Sequence, residues 1–288
     1  MSVALTDDNV ELHYQVTGSG TPILFIHEFA GDMTSWEPQM QHFGAKYMCI
    51  SYNARGYPPS SVPENVSSYS QQRAVADALT ILDHLKIDKA HIVGLSMGGF
   101  ATLHFGLTHP DRALSLCVAG CGYGAEPEKQ EIFREESKKN AEMLLNEGME
   151  AFAEYYAHTA TRLAFKYSNP RGFEVFKKQL ASHSALGSAN TQLGVQRERP
   201  SLYDLTDQLK ALRVPTLILH GDEDDPCLVP GLMLKEVIPT AAMAIVPNCG
   251  HTINLEKTDT FNAIVGDFIS YAESGCWPSK EAVYGKQT

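Results

Sequence analysis

Apolar residues along this chain fall into two kinds of run that alternate over most of its length. Short runs rich in apolar and β-branched residues predict strands. They occupy residues 10–16, 22–26, 48–52, 90–93, 113–119, 214–219 and 241–246. Segments with apolar residues at helical spacing lie between them, most clearly at 70–85, 100–109 and 258–271. Strands that alternate with helices predict an α/β fold with a mainly parallel, doubly wound sheet covered on both faces.

One long stretch breaks this alternation. No strand-like run occurs between residues 122 and 210, where four segments instead show helical periodicity: 128–147, 149–167, 170–186 and 202–212. This stretch is far too long for a simple connection between two strands of one sheet. We therefore predict a helical cap at 122–210, inserted into a core that is formed by 1–121 and 211–288.

Composition narrows the classes of partner. The formal net charge of −11 argues against nucleic acid or an anionic membrane as a partner. We find neither a secretory signal pattern nor a membrane-length apolar window, and the six cysteines show no metal-binding spacing. These features are typical of a cytoplasmic protein with reduced thiols.

A serine lies where a predicted strand passes into a predicted helix. Ser96 follows the strand at 90–93 and precedes the helix at 100–109, with Gly94 and Gly98 two residues away on either side. This is the pattern of the nucleophile elbow, in which a tight turn holds a serine hydroxyl clear of the chain. Glycine is needed at both flanking positions because side chains there would collide with the neighbouring backbone. The pattern predicts that Ser96 is a nucleophile.

Two further segments follow predicted strands at the same edge of the sheet. An acidic turn with Asp222, Asp224 and Asp225 follows the strand at 214–219, and His251 follows the strand at 241–246. Ligands of open α/β sheets bind beyond the carboxyl ends of the strands, so we expect these side chains near Ser96. A serine nucleophile needs a general base and an orienting carboxylate, and this chain order supplies both. All three aspartates satisfy the expected placement.

With these segments in place, the chain resembles the α/β-hydrolase superfamily, specifically its lid-bearing, esterase-like serine hydrolases. The resemblance rests on residues 94–99, 221–224 and 250–262 and extends over nearly the whole chain. It implies a catalytic triad of Ser96, Asp224 and His251. It also implies an oxyanion hole formed by the backbone N–H groups of Met97 and Phe29.

The loop after the strand at 22–26 departs from the family pattern. Relatives usually carry His-Gly where this chain has His27 and Glu28. Glycine adopts positive φ freely, whereas glutamate does so at a cost. Three interpretations of this departure stay open: the loop takes another path, Glu28 lines the substrate pocket, or the Glu28 side chain faces solvent. Asn53 stands where relatives often have aspartate, and Arg55 in the same loop is expected to be structural.

The cap is expected to select the substrate. Its candidate pocket residues are Tyr155, Tyr156, His158, Arg162, His183 and Arg197. An apolar underside is expected from Leu144, Leu145, Phe152, Leu163, Phe165 and Phe173, which suits a modest hydrophobic acyl or aromatic group.

The resemblance implies a hydrolase that cleaves a small carboxylic ester or lactone through an acyl-enzyme intermediate. The alternatives are hydrolysis of a C–C bond or an amide, a small-molecule receptor with negligible turnover, and cofactor-free acyl transfer or oxygenation. We find no sign of a metal or an organic cofactor in the sequence. The expected partner is a small-molecule substrate, not a nucleic acid or a membrane, and a homodimer is left open.

Overall fold

Eight strands form one sheet in the computed structural model, which describes residues 2–285. They are β1 (Ser2–Leu5), β2 (Glu11–Thr17), β3 (Pro22–Ile26), β4 (Met48–Tyr52), β5 (Ala90–Leu95), β6 (Ala113–Ala119), β7 (Thr216–Gly221) and β8 (Ala241–Val246). Their order is β1-β2-β4-β3-β5-β6-β7-β8. The β1–β2 and β2–β4 pairs are antiparallel, and all other pairs are parallel. The predicted fold class is confirmed.

Twelve α-helices accompany the sheet in the described part of the chain. They are α1 (Glu37–Phe43), α2 (Gln71–His84), α3 (Met97–Thr108), α4 (Pro127–Tyr156), α5 (Ala160–Ser168), α6 (Pro170–Ala181), α7 (Ala185–Thr191), α8 (Thr206–Ala211), α9 (Asp225–Val237), α10 (Ile253–Glu256), α11 (Thr258–Glu273) and α12 (Lys280–Tyr284). Among residues 2–285, no helix combines the length and apolar character that crossing a membrane requires.

The sheet separates two hydrophobic cores, and β3 shows why its sequence is apolar throughout. Leu24 and Ile26 pack into the core beneath α2 and α3, whereas Ile23 and Phe25 pack into the core beneath α1 and α11. Successive side chains of a strand point to opposite faces, so a strand that is buried on both faces needs apolar residues at every position.

Strand register brings the carboxyl ends of the central strands to one edge. Ile26 of β3 is paired with Gly94 of β5, and Gly221 of β7 is paired with Val246 of β8. The loops that follow these strands therefore start side by side. This edge collects the loop after β3, the β5–α3 turn and the loops after β7 and β8.

The helical cap consists of α4 to α7 and the turns around them, between β6 and β7. A third hydrophobic core joins it to the loop after β3, because Phe29 packs edge-on against the cap residue Phe152. Helix α4 is broken at Gly148, where φ is 83°. The outer limits predicted for the cap, 122 and 210, stay a prediction.

Several predicted cap helices are shorter than their periodicity indicates. The segment at 149–167 is divided between α4 and α5, and the segment at 170–186 is divided between α6 and α7. Ser184 explains the second division, because its hydroxyl accepts the N–H of Gly187 at 3.1 Å and caps α7. Leu145 and Leu163, expected beneath the cap, are instead 55% and 38% exposed. That expectation was wrong for these two residues.

Five elements lack a clear sequence signal: β1, α1, α9, α10 and α12. Helix α9 contains Pro226 in its first turn and Pro230 inside, a composition more typical of a loop. Residues 276–285, for which no element was expected, include the short helix α12. Two contacts hold it: the Trp277 indole donates to the carbonyl of Thr240 at 2.7 Å, and the Lys280 N–H donates to that of Pro239 at 2.8 Å.

Candidate active site

Ser96 occupies a strained turn between β5 and α3. Its φ is 56° and its ψ is −114°, values that side chains rarely adopt outside functional turns. Its own N–H donates to the carbonyl of Ala119 at 2.8 Å. A Cβ on Gly94 would lie 2.1 Å from the carbonyl oxygen of Gly98, and one on Gly98 would lie 2.1 Å from that of Ile26. The flanking glycines are therefore required by the backbone packing around the serine.

His251 and Asp224 form a buried pair beside this turn. The imidazole Nδ1 lies 2.8 Å from Oδ2 of Asp224, and the aspartate side chain is fully buried. Asp222 instead accepts the N–H of Cys249 at 3.1 Å, and Asp225 begins α9. Of the three candidate acids, Asp224 is thus the one placed against His251.

The charge on Asp224 depends on its partner. Burial favours the neutral carboxyl, but the neighbouring His251 outweighs this effect and lowers the pKa of Asp224. A carboxylate in this position fixes the imidazole tautomer, with Nδ1–H toward Asp224 and the Nε2 lone pair free.

His27 holds the loop after β3 in place through two hydrogen bonds. Burial lowers the pKa of this histidine to about 4, so the imidazole is neutral near pH 7. Its Nε2 accepts the N–H of Ala54 at 3.1 Å, which leaves Nδ1–H to donate to the carbonyl of Glu28 at 2.7 Å. The Tyr57 hydroxyl adds a hydrogen bond of 2.8 Å to the carbonyl of Phe29. These bonds fix the backbone at the predicted oxyanion-hole residue.

The N–H groups of Phe29 and Met97 are both available as donors. Within the described chain, neither group has a hydrogen-bond partner. Met97 is the first residue of α3, where helix geometry leaves the N–H groups free and favours negative charge. Both residues therefore keep the free N–H groups that the predicted oxyanion hole requires, and that role stays a prediction.

Glu28 takes neither of the two places considered for it. Its side chain is only 2% exposed and forms a bidentate ion pair with Arg162 of α5. Arg162 also donates to the Thr252 hydroxyl at 2.6 Å, and the N–H of His251 donates to the carbonyl of Thr161 at 3.3 Å. The cap is thus tied to both the loop after β3 and the loop that carries His251.

A cavity of about 380 Å³ lies between the cap and this edge of the sheet. Its wall includes Ser96 and His251, together with Tyr155 and Tyr156 among the predicted pocket residues. Glu28, His158, His183 and Arg197 are not among the described residues that line it. Of the four tyrosine and histidine candidates in the cap, the two tyrosines line the cavity and the two histidines do not.

The two cap histidines have other contacts. The Nδ1 of His158 lies 2.7 Å from the carbonyl of Glu154 on the outer side of the cap. His183 is buried, stacks edge-on with Tyr57 at 5.2 Å, and points Nε2 toward Asp32 at 3.6 Å. Arg55, expected to be structural, pairs with Asp8 and Asp77.

Three charged residues of the cavity wall were not predicted from the sequence: Glu136, Lys139 and Arg199, of which only Arg199 is buried. Arg199 follows a π-helical turn at Gln192–Gln196 and is buried. In the sequence it belongs to a run of alternating charges, a pattern that normally marks a solvated surface. Its only other distinguishing feature in the sequence is that it precedes Pro200, and this does not indicate that the side chain is buried.

A second cluster has ligand types that metals use. One ligand atom from each of His220, Asp224 and Cys227 lies within 4.8 Å of the others. However, Asp224 is engaged by His251, and the Cys227 thiol donates to the carbonyl of Gly120 at 3.4 Å. Burial raises the pKa of this thiol well above its usual range, which disfavours the thiolate that binds metals. We interpret the cluster as packing beneath the active site.

Comparison with known proteins agrees with this geometry. The sequence model of a family described as alpha/beta hydrolase fold matches residues 21–258. The chain is 28% identical over 265 residues to 3-oxoadipate enol-lactonase 1 of Acinetobacter baylyi, covering 90% of this chain and 92% of that protein. It is also 28% identical over 285 residues to a 2-hydroxy-6-oxo-6-phenylhexa-2,4-dienoate hydrolase of Burkholderia cepacia, covering 91% and 92% of the two chains.

Solved structures show the same architecture. A thermophilic esterase from Thermogutta terrifontis superposes with a TM-score of 0.82 at 26% identity, over 94% of this chain and 98% of that one. The enol-lactonase from Burkholderia xenovorans LB400 has a TM-score of 0.81 at 24% identity, over 93% and 100% of the two chains. The second likeness concerns the fold alone.

Proposed function

Because this chain belongs to the α/β-hydrolase fold family, we propose that it hydrolyses a small carboxylic ester or lactone with Ser96 as the nucleophile. One observation carries the proposal. Ser96, in a turn with positive φ, shares a cavity wall with a histidine that a buried aspartate orients. Relatives named as an enol-lactonase and an esterase support this choice of bond.

The proposed reaction begins with proton transfer. His251 accepts the Ser96 proton at Nε2 while Oγ attacks the acyl carbon, and the Asp224 carboxylate stabilises the imidazolium that forms. The N–H groups of Met97 and Phe29 bind the oxygen that becomes negative. The imidazolium then returns the proton to the leaving alcohol, and an acyl-enzyme remains. Water, activated by the same imidazole, releases the acid and restores Ser96.

A fluorophosphonate probe tests the nucleophile directly. We expect stoichiometric labelling at Ser96, with both labelling and ester turnover lost in Ser96→Ala. Ser115→Ala is the matched control: the Ser115 hydroxyl also lies 2.7 Å from a histidine, His91, but the pair is buried in the sheet. This control should keep labelling and turnover. Undiminished turnover in folded Ser96→Ala would reject the proposal.

A substrate panel tests the kind of bond. Short alkyl esters, γ- and δ-lactones, amides and β-diketones of similar size would each be compared with Ser96→Ala as the blank. Esters or lactones are expected to show the highest kcat/KM. Faster cleavage of the diketones would point to C–C hydrolysis instead. A single burst of product without steady turnover would favour the receptor alternative.

A further inference from the structure

Three arginines are buried in the described chain, and one of them lacks an acidic partner. Arg55 pairs with Asp8 and Asp77, and Arg162 pairs with Glu28. Arg199 is 6% exposed, yet among residues 2–285 no carboxylate oxygen lies within 4.0 Å of its guanidinium nitrogens. An unpaired buried charge is costly, and proteins usually compensate it. The lack of an acidic partner therefore suggests that Arg199 binds an anion from outside the chain.

The surroundings of Arg199 restrict what can approach it. The guanidinium carbon lies 3.8 Å from the ring centroid of Phe100 and 4.4 Å from that of Phe133. With an aromatic ring against it on two sides, the cation is open chiefly at its edge, where the N–H groups point. Two N–H groups are used, by the side-chain oxygen of Gln196 and the carbonyl of Tyr123. A guanidinium has five, so three remain.

The residue that carries these donors borders the cavity that contains Ser96. Arg199 and Ser96 are both part of its wall, and Phe100 follows Ser96 by one helical turn, its N–H donating to the Ser96 carbonyl at 2.9 Å. An anion at the edge of Arg199 would therefore lie within the span of a small substrate. A planar carboxylate matches in-plane donors best.

We propose that Arg199 binds a carboxylate on the substrate, so that the preferred ester or lactone is an anion with a free carboxyl group near the scissile bond. This inference rests on the proposed function. Gln196 assists, because its oxygen is held by Arg199 and its amide N–H₂ is left to donate.

Two other charged side chains of the cavity wall are less buried than Arg199. Glu136 is half-buried and accepts a hydrogen bond of 2.5 Å from the Tyr123 hydroxyl, while Lys139 is exposed. His251 is committed to Asp224. The half-buried carboxylate of Glu136 disfavours a multiply charged ligand such as a phosphate, whereas a monoanion needs only the one buried cation.

Substrate pairs that differ in charge but not in shape test the inference. Monoethyl glutarate carries a carboxylate, and ethyl glutaramate carries a neutral amide in the same place. The matching succinate and adipate pairs vary the chain length. Ester cleavage would be measured by pH-stat at pH 7.5. For at least one chain length, the wild-type protein should prefer the anion in kcat/KM by about 10- to 100-fold, the value of a charged hydrogen-bonded contact.

Arg199→Gln should lower kcat/KM for the anions far more than for the amides, so that the preference for the anion is lost. Arg134→Gln is the control for the change in charge, because Arg134 lies beside Phe133 in sequence and pairs with Glu131 away from the cavity wall. It should keep the full preference. An equal loss for anions and amides in Arg199→Gln would mean a structural role and would overturn the proposal, as would equal kcat/KM values in the wild type.

Binding measurements separate this inference from the proposed function. If none of the esters is cleaved, the hydrolase proposal fails, and calorimetry with the wild-type protein still decides whether the anions bind more tightly than the amides. If Arg199→Gln does not fold, a crystal structure of Ser96→Ala with monoethyl glutarate decides instead. A carboxylate at the Arg199 edge supports the proposal, and one bound elsewhere overturns it.

Discussion

The buried ion pair between Glu28 and Arg162 predicts strong energetic coupling between the cap and the core. The two side chains are 2% and 1% exposed and meet through two hydrogen bonds. At an effective dielectric constant of about 20, unit charges about 4 Å apart attract by about 4 kcal/mol. Removing one partner leaves the other charge buried and unpaired, at a cost of about 3–5 kcal/mol. Removing both side chains leaves no buried charge that needs a partner.

A double-mutant cycle measures this coupling. Glu28→Met and Arg162→Met are each expected to lower the free energy of unfolding by about 3–5 kcal/mol. The double variant, with two apolar side chains of suitable length, should lose far less than the sum of the two single losses. Urea denaturation followed by circular dichroism gives all four values. The exposed pair of Lys177 and Glu154 is the control and should show no measurable coupling.

Kinetics provide a second readout of the same cycle. Arg162 donates to Thr252, the neighbour of His251, so the double variant should regain stability without regaining full kcat. Strictly additive losses of stability in the cycle would refute the coupling. A double variant with wild-type kcat would show that Arg162 does not help to position the histidine loop.

The other expectations concern an acid, a helix cap and two glycines. Asp224→Asn should keep the fold but lower kcat by about 10⁴, as the imidazole tautomer is lost; ester turnover measures this. Asp32 accepts the N–H of Thr34 at 2.8 Å and caps the 3₁₀ helix Met33–Trp36, so Asp32→Ala should cost about 1 kcal/mol of unfolding free energy at pH 7. Burial works against the charge of Asp32, but contacts from His183 and Thr34 prevail and lower its pKa. The difference in unfolding free energy between the wild type and Asp32→Ala, measured by urea denaturation, should therefore shrink as the pH falls below about 4. Gly98→Ala should destabilise by about 1–3 kcal/mol, because its Cβ would meet a carbonyl oxygen at 2.1 Å. Gly266→Ala, with its nearest neighbour at 3.5 Å, should stabilise by about 0.5–1 kcal/mol; thermal melts compare the two.

Most of the core was predictable because its strands are buried on both faces. Such strands leave a continuous apolar run, as at Pro22–Ile26, which is visible without any partner. The resemblance to the α/β-hydrolase superfamily is likewise confirmed. Strand β1 escaped prediction because only Ala4 of its four residues is buried. Its strand conformation comes from pairing with β2, which the local pattern does not reveal.

The site was predictable as far as it depends on short motifs at strand ends. Ser96, Asp224 and His251 follow their strands within a few residues, so strand order fixes their common edge. Their catalytic roles stay a prediction. The placement of Glu28 and Arg199 depends on partners more than sixty residues away, Arg162 and Phe100 respectively. Such pairings arise only when the cap folds onto the core.

The Glu28–Arg162 contact also limits how this protein can be recombined with its relatives. One way to change the substrate preference is to replace the whole cap with that of a relative. In this protein the cap carries Arg162 and the core carries its partner Glu28, so a cap without this arginine would leave Glu28 buried and unpaired. A chimera that transfers this cap therefore has to transfer residue 28 with it. Without that change, a chimera with a new substrate preference would also lose stability.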